Sequence, residues 1–140
     1  MLVRYTLSPD DHLAWYDYYT ASIQSFGWSS LPLIGPLLSA HRRKRFLRGI
    51  LAAGNRNTLG ERTIELSPSG VREFSSDFDF STAWQTLAQA AVTSQHLFLA
   101  HPSMNAHIIP LRYFESDALR DSFVSFALSH APSSPNNRNA

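Results

Sequence analysis

Three histidines, His96, His101 and His107, fall within twelve residues of one another, and neutral imidazole is the commonest side-chain ligand of borderline divalent metals. Whether they can share an ion depends on how the chain folds back between them. With residues 102–105 as a hairpin loop, His101 pairs with Ala106, which puts His101 on one face of the ladder and His96 with His107 on the other. His96 and His107 are then four positions apart, about 13 Å at strand rise. No metal centre is expected from this hairpin. Asp77 and Asp79 are a second candidate, because alternate residues of a strand project from one face about 7 Å apart, close enough for acid/base chemistry. A solvated strand edge accounts for the same two carboxylates.

Other chemistries are missing from the sequence. The 140 residues include no cysteine, which removes a disulfide framework, a thiolate metal site and a cysteine nucleophile together. No Gly-x-Ser-x-Gly elbow, phosphate loop or dinucleotide fingerprint occurs. A composition of 44% hydrophobic and 16% charged residues is that of a folded globular chain, and its length fits one domain. The expectation is a protein that is not an enzyme and carries no cofactor.

What remains is electrostatic. Residues 31–49 read LPLIGPLLSAHRRKRFLRG, an uncharged, proline-interrupted apolar run that meets Arg42, Arg43, Lys44, Arg45 and, shortly after, Arg48. With Arg56 there are six cations and no acid between Tyr18 and Gly60, so in a chain of net charge +1 the other residues carry −5. An apolar run followed by clustered cations suits an anionic membrane surface, where each cation contributes on the order of 1 kcal/mol. A solvated face, or pairing with acids of a neighbouring subunit, explains the same residues. Nucleic acid is the weakest partner, since the whole chain is nearly neutral and shows no recognised nucleic-acid-binding motif. A spanning helix needs about 20 predominantly apolar residues. The charge-free run 18–40 is long enough, but Thr20, Ser22, Gln24, Ser25, Ser29, Ser30, Pro32 and Pro36 make it too polar.

These residues have to be positioned by elements that the periodicity outlines. Residues 2–7 alternate as a strand; Ser8 caps a helix with Pro9 in its first turn and Asp10 and Asp11 at the positive end of its dipole. On that helix Trp15, Tyr16, Tyr19, Ile23 and Phe26 share one sector, and Gly27 ends it. Over 34–51, Ile34, Leu37 and Leu38 lie opposite Phe46, Leu47, Ile50 and Leu51, so the segment is either one helix with different neighbours at its two ends or two short pieces. Strands are expected at 63–66, 71–75, 78–82, 87–93, 96–100 and 106–111, with a hairpin turn at 67–70. Phe74, Phe78, Phe80, Thr82 and Trp84 share one parity and point inward; Glu73, Asp77, Asp79 and Ser81 take the wet side. Trp84 belongs to the core by this pattern. A closing helix over 116–129 buries Leu119, Phe123, Phe126 and Ala127.

Several of these segments resemble one known family. VRYTLSPDDHLAWY, TIELSPSGV, Trp84 with Leu87, QHLFL and above all HIIPLRYF followed by a helix are similar to the YcxB-like family of bacterial proteins, over most of residues 3–126. The resemblance implies a pleckstrin-homology-like domain, with two transmembrane helices between its first and second strands. It implies no activity and no catalytic residue. Here residues 12–53 depart from it, holding the single polar run described above where the hairpin would be.

The reading is therefore an α+β, seven-stranded pleckstrin-homology-like barrel or sheet with a helical insertion at about 9–53 and a C-terminal helix. The domain covers 1–131, and 132–140 is a disordered tail. It serves as a non-enzymatic interaction or membrane-surface module, with Arg42, Arg43, Lys44, Arg45 and Arg48 as the anionic-surface contact. An integral membrane protein with a degenerate transmembrane hairpin and a small enzyme are the alternatives. Residues 1–8 do not form a secretory signal, so the expected location is cytoplasmic or peripheral at the inner membrane. Pro110 removes a ladder donor and belongs on an edge strand or at a bulge, and the adjacent Ile108 and Ile109 make both faces of the strand apolar. Ile108, Ile109 and Pro110 are thus a candidate edge for a protein partner or a second copy, and a homodimer is expected.

Overall fold

The computed structural model describes residues 1–23, 35–53 and 59–132. Strand β1 (Leu2–Leu7) alternates strictly, with Val3, Tyr5 and Leu7 buried and Leu2, Arg4 and Thr6 exposed. Ser8 then starts α1 (Pro9–Ile23) through a reciprocal cap: the Asp11 amide donates to Ser8 Oγ at 3.4 Å, and the Ser8 amide donates to Asp11 Oδ2 at 2.9 Å. This satisfies donors that a helix start leaves unpaired. Next come α2 (Gly35–Ala53), β2 (Gly60–Ser67), β3 (Gly70–Phe74), β4 (Asp79–Ala83), β5 (Gln89–Val92), β6 (His96–Ala100), β7 (Ala106–Pro110) and α3 (Asp117–His130).

The strands form two antiparallel sheets, β1-β2-β3-β4 and β5-β6-β7. No ladder joins the two sheets into a closed barrel among the described residues. The β2–β3 hairpin turns through Pro68 and Ser69, with Ser67 opposite Gly70. Gly70 is needed there because a Cβ would collide with the carbonyl oxygen of Thr82 on β4. The fold class expected from the pattern, α+β with a helical insertion after the first strand and a closing helix, is the one observed.

The three-stranded sheet is the middle layer. One face carries His96 and Phe98, and Phe98 packs under α1 against Trp15 and Tyr18, with ring centroids 5.3 and 5.4 Å away. The other face carries Leu97, Leu99, Ile109 and His107 and looks onto Val3, Tyr5, Ile64 and Glu73 of the four-stranded sheet. All five residues of β6 are buried in consequence. Along α3, which Ser116 caps by accepting from the Leu119 amide at 3.3 Å, Phe123 and Ala127 are buried. Trp84, 2% exposed, lies beside Phe126 and His130 and donates its indole N–H to the Ser67 carbonyl at 2.8 Å.

Several inward assignments change. Phe74 pairs with Asp79 and Glu73 with Phe80, so parity reverses across the β3–β4 turn. Glu73 therefore shares the inner face with Val71 and Thr82 and is buried, the reverse of the wet side expected for it. Phe80 points to the same face but is half exposed, because β4 is an edge strand. Ile23 and Leu119, expected on buried faces, are exposed. Phe26, Gly27, Ile34, Arg56 and the tail beyond Pro132 lie outside the described residues.

The packing of Trp84 makes a direct prediction. Trp84→Ala should lower stability by roughly 3 to 5 kcal/mol in denaturant melts, since it removes buried area and leaves a cavity between α3 and the sheet. A loss below about 1 kcal/mol would show that the indole is not a core element.

Candidate functional site

The segment 31–49 contributes one continuous helix, α2, from Gly35 onward. Its two apolar clusters have different fates. Phe46, Leu47 and Ile50 are half buried, and Phe46 stacks on Tyr16 of α1 at 4.5 Å between ring centroids. Leu37, Leu38 and Leu51 are exposed. Arg42, Arg43, Lys44, Arg45 and Arg48 are all exposed too. Arg43 donates from Nε to both carboxylate oxygens of Asp17 at 3.2 Å, which helps hold α2 on α1. The other four make no ion pair among the described residues. A shallow groove of about 440 Å³ runs between the two helices, lined by Tyr16, Phe46, Ile50, Arg42 and Arg45. No helix among the described residues is long and apolar enough to cross a membrane.

The second candidate surface sits elsewhere. β7 is an edge of its sheet, as Pro110 requires, with Pro110 opposite His96. Ile108, Ile109 and Pro110 are nonetheless buried, because α1 and β1 of the same chain cover them. The helical insertion covers one of the two apolar faces and the four-stranded sheet the other.

Two buried carboxylates, neither singled out by the sequence as a site, organise the polar interior. Asp11 is 1% exposed and takes a bidentate Arg112 guanidinium at 2.7 and 2.8 Å, His96 Nε2 at 2.7 Å, and the Ser8 hydroxyl at 2.8 Å. Burial opposes its charge, but these donors outweigh that cost and hold the carboxyl well below the usual carboxylate range. One side chain thus ties the start of α1 to β6 and to the turn after β7.

Glu73 does the same inside the sandwich. Its Oε1 accepts from Tyr5 Oη at 2.9 Å and Arg62 at 3.1 Å, while Oε2 lies 2.6 Å from His107 Nδ1. Desolvation is again outweighed, by His107 first and then Arg62 and Tyr5, so the carboxyl is held below its ordinary value. Burial, with Glu73 nearby, pushes the Tyr5 phenol well above its ordinary value. His107 Nε2 is buried and has no hydrogen-bond partner among the described residues. The signal for Glu73 lay within its own strand, where Val71 and Glu73 alternate together; Phe74 next to it was the stronger but misleading cue.

The remaining sequence candidates are not brought together as expected. Asp77 lies in the turn before β4, while Asp79 is on β4 and is clamped by Arg72 at 2.6 and 2.9 Å, which lowers its pKa. They do not form a carboxylate pair on one strand. In the β6–β7 hairpin Ala100, not His101, pairs with Ala106. This shift of one residue turns His101 and His107 to the same face and leaves His96 on the other, because side-chain direction has period two. The ring centroids of His101 and His107 are 5.1 Å apart.

The depressed Asp11 carboxyl fixes a pH dependence. A group whose folded pKa lies below its unfolded one stabilises the fold above the ordinary carboxylate range and loses that contribution as pH falls through it. Asp11→Asn should cost roughly 1.5 to 3 kcal/mol near pH 7, the range for hydrogen bonds to charged groups. The gap between variant and wild type should then narrow as pH drops from about 5 toward 2. A gap constant over that range in urea titrations would show that Asp11 contributes no pH-dependent stability.

No family model, curated protein or solved structure matches the chain, so what these sites do has to be argued from their geometry.

Proposed function

We propose that this chain is a non-enzymatic module of YcxB-like, pleckstrin-homology-like type that associates peripherally with anionic membrane surfaces through α2. Four plus three antiparallel strands followed by a closing helix support the fold reading. The family reading rests on the sequence resemblance, and the insertion after β1 lies where that resemblance places a membrane hairpin.

The observation that carries the function is the state of the cations on α2. Buried charges elsewhere in the molecule are paired and hydrogen-bonded; Arg42, Lys44, Arg45 and Arg48 are exposed and make no ion pair among the described residues. Exposed leucines at both ends of the same helix, Leu37, Leu38 and Leu51, can enter the headgroup region while the cations meet lipid phosphates. Aromatic and aliphatic side chains of the α1–α2 groove sit beside Arg42 and Arg45, which matches the amphipathic character of a lipid headgroup and its upper acyl chain.

Flotation with lipid vesicles tests this. The protein should rise with vesicles rich in phosphatidylserine or phosphatidylglycerol and stay behind with neutral phosphatidylcholine. Raising salt from about 0.1 M to about 1 M shortens the screening length from about 10 Å to about 3 Å and should release it. The combined variant Arg42→Gln, Arg43→Gln, Lys44→Gln and Arg45→Gln should no longer float and should keep its melting temperature within a few degrees, because exposed ion pairs contribute little to folding. If wild type ignores anionic vesicles while the variant unfolds or changes oligomeric state, the cations are partners of acidic residues and the proposal fails.

A further inference from the structure

Independently of the membrane reading, one buried nitrogen inside the sandwich is left without a hydrogen-bond partner among the described residues. His107 is 2% exposed. Its Nδ1 faces Glu73 Oε2 at 2.6 Å, and the carboxyl of Glu73 is ionised, so in the neutral ring the proton sits on Nδ1 and is donated to Glu73. Nε2 then carries a lone pair with no partner among the described residues. A buried acceptor left unpaired costs stability, so such an atom calls for an account. Beside it stands His101, half buried, with its ring centroid 5.1 Å from that of His107; Phe80 packs 5.9 Å from both.

We propose that His101 and His107 form a two-histidine site for a borderline divalent metal of the zinc, cobalt or nickel class, with Glu73 as the positioning residue behind His107. The geometry fits. Metal–imidazole bonds of about 2.0 to 2.1 Å place two rings on one tetrahedral ion with centroids roughly 5 Å apart, against 5.1 Å here. A carboxylate on the far nitrogen of a ligating histidine fixes its tautomer and raises its basicity, which is the usual support for such ligands. That carboxylate is itself held by Tyr5 and Arg62 and cannot swing away. Imidazole ligands select against calcium and magnesium, which take oxygen. No third His, Asp or Glu completes the set among the described residues. The other positions would fall to water, entering past the half-exposed His101 and Phe80. Such a site is exchangeable rather than structural, and it keeps open positions for a small ligand.

Tag-free protein titrated with zinc chloride by calorimetry, and with cobalt chloride by visible absorption, tests this. One equivalent should bind saturably, with the cobalt complex showing the stronger absorption of a low-coordinate, imidazole-ligated ion. His101→Ala should weaken binding at least tenfold; because that ring is only half buried, the variant should stay folded. His41→Ala, at an exposed position on α2, should leave binding unchanged. In long-range nitrogen–proton spectra, zinc should shift Nε2 of His107 and leave its Nδ1 protonated. Absence of one-equivalent binding, unchanged affinity in His101→Ala, or zinc shifts confined to His41 and His130 would each overturn the site.

Discussion

The constraint on which this structure depends is that the three-stranded sheet is covered on both faces. β6 has no exposed residue, so every polar side chain that its hairpin turns inward must find a partner in the dry interior. The hairpin brings two such groups, and they point in opposite directions: His96 toward α1 and His107 toward the four-stranded sheet. Each meets a buried carboxylate, Asp11 on one side and Glu73 on the other. Each carboxylate in turn recruits an arginine, Arg112 and Arg62. The middle layer is thus held to its neighbours by two ion clusters as well as by apolar contact, and these carry directional information that leucines and isoleucines lack. Truncating one partner of such a cluster leaves its mates desolvated without compensation, which is far more costly than the cluster's own net contribution.

Charge is divided by location in a way that bears on function. Inside, the acids are saturated with donors and the chemistry they could do is spent on holding layers together. Outside, α2 leaves four cations without an ion pair among the described residues, and nothing in the packing of Phe46 against Tyr16 requires them. The helix is attached to the body through the half-buried Phe46, Leu47 and Ile50 and one Arg43–Asp17 pair, and its exposed cations and leucines are the surface on which the proposed membrane contact rests.

Between these extremes lies the His101 and His107 pair. His101 sits at the mouth of the hairpin, where burial lowers its pKa. His107, deeper in, has one nitrogen engaged by Glu73 and the other without a partner among the described residues.

The sequence by itself determined what depends on neighbours along the chain. The limits of β1 and β6, the Ser8 cap with Asp11 in the first helical turn, the turn at Pro68 and Ser69, the core role of Trp84 and the clustering of the cations are all local consequences of residue type and spacing. Only the tertiary structure decided which faces meet. Alternation reports parity within a strand but not across a turn, so Glu73 read as solvated until the pairing of Phe74 with Asp79 reversed the register. A hairpin loop one residue longer than 102–105 joined His101 to His107 instead of separating them. Asp11 was legible as an acid at a helix start, yet its strongest partner, Arg112, lies 101 residues away. Pairings of that span are set by how the layers stack, and a single-residue change of register exchanges one face for the other.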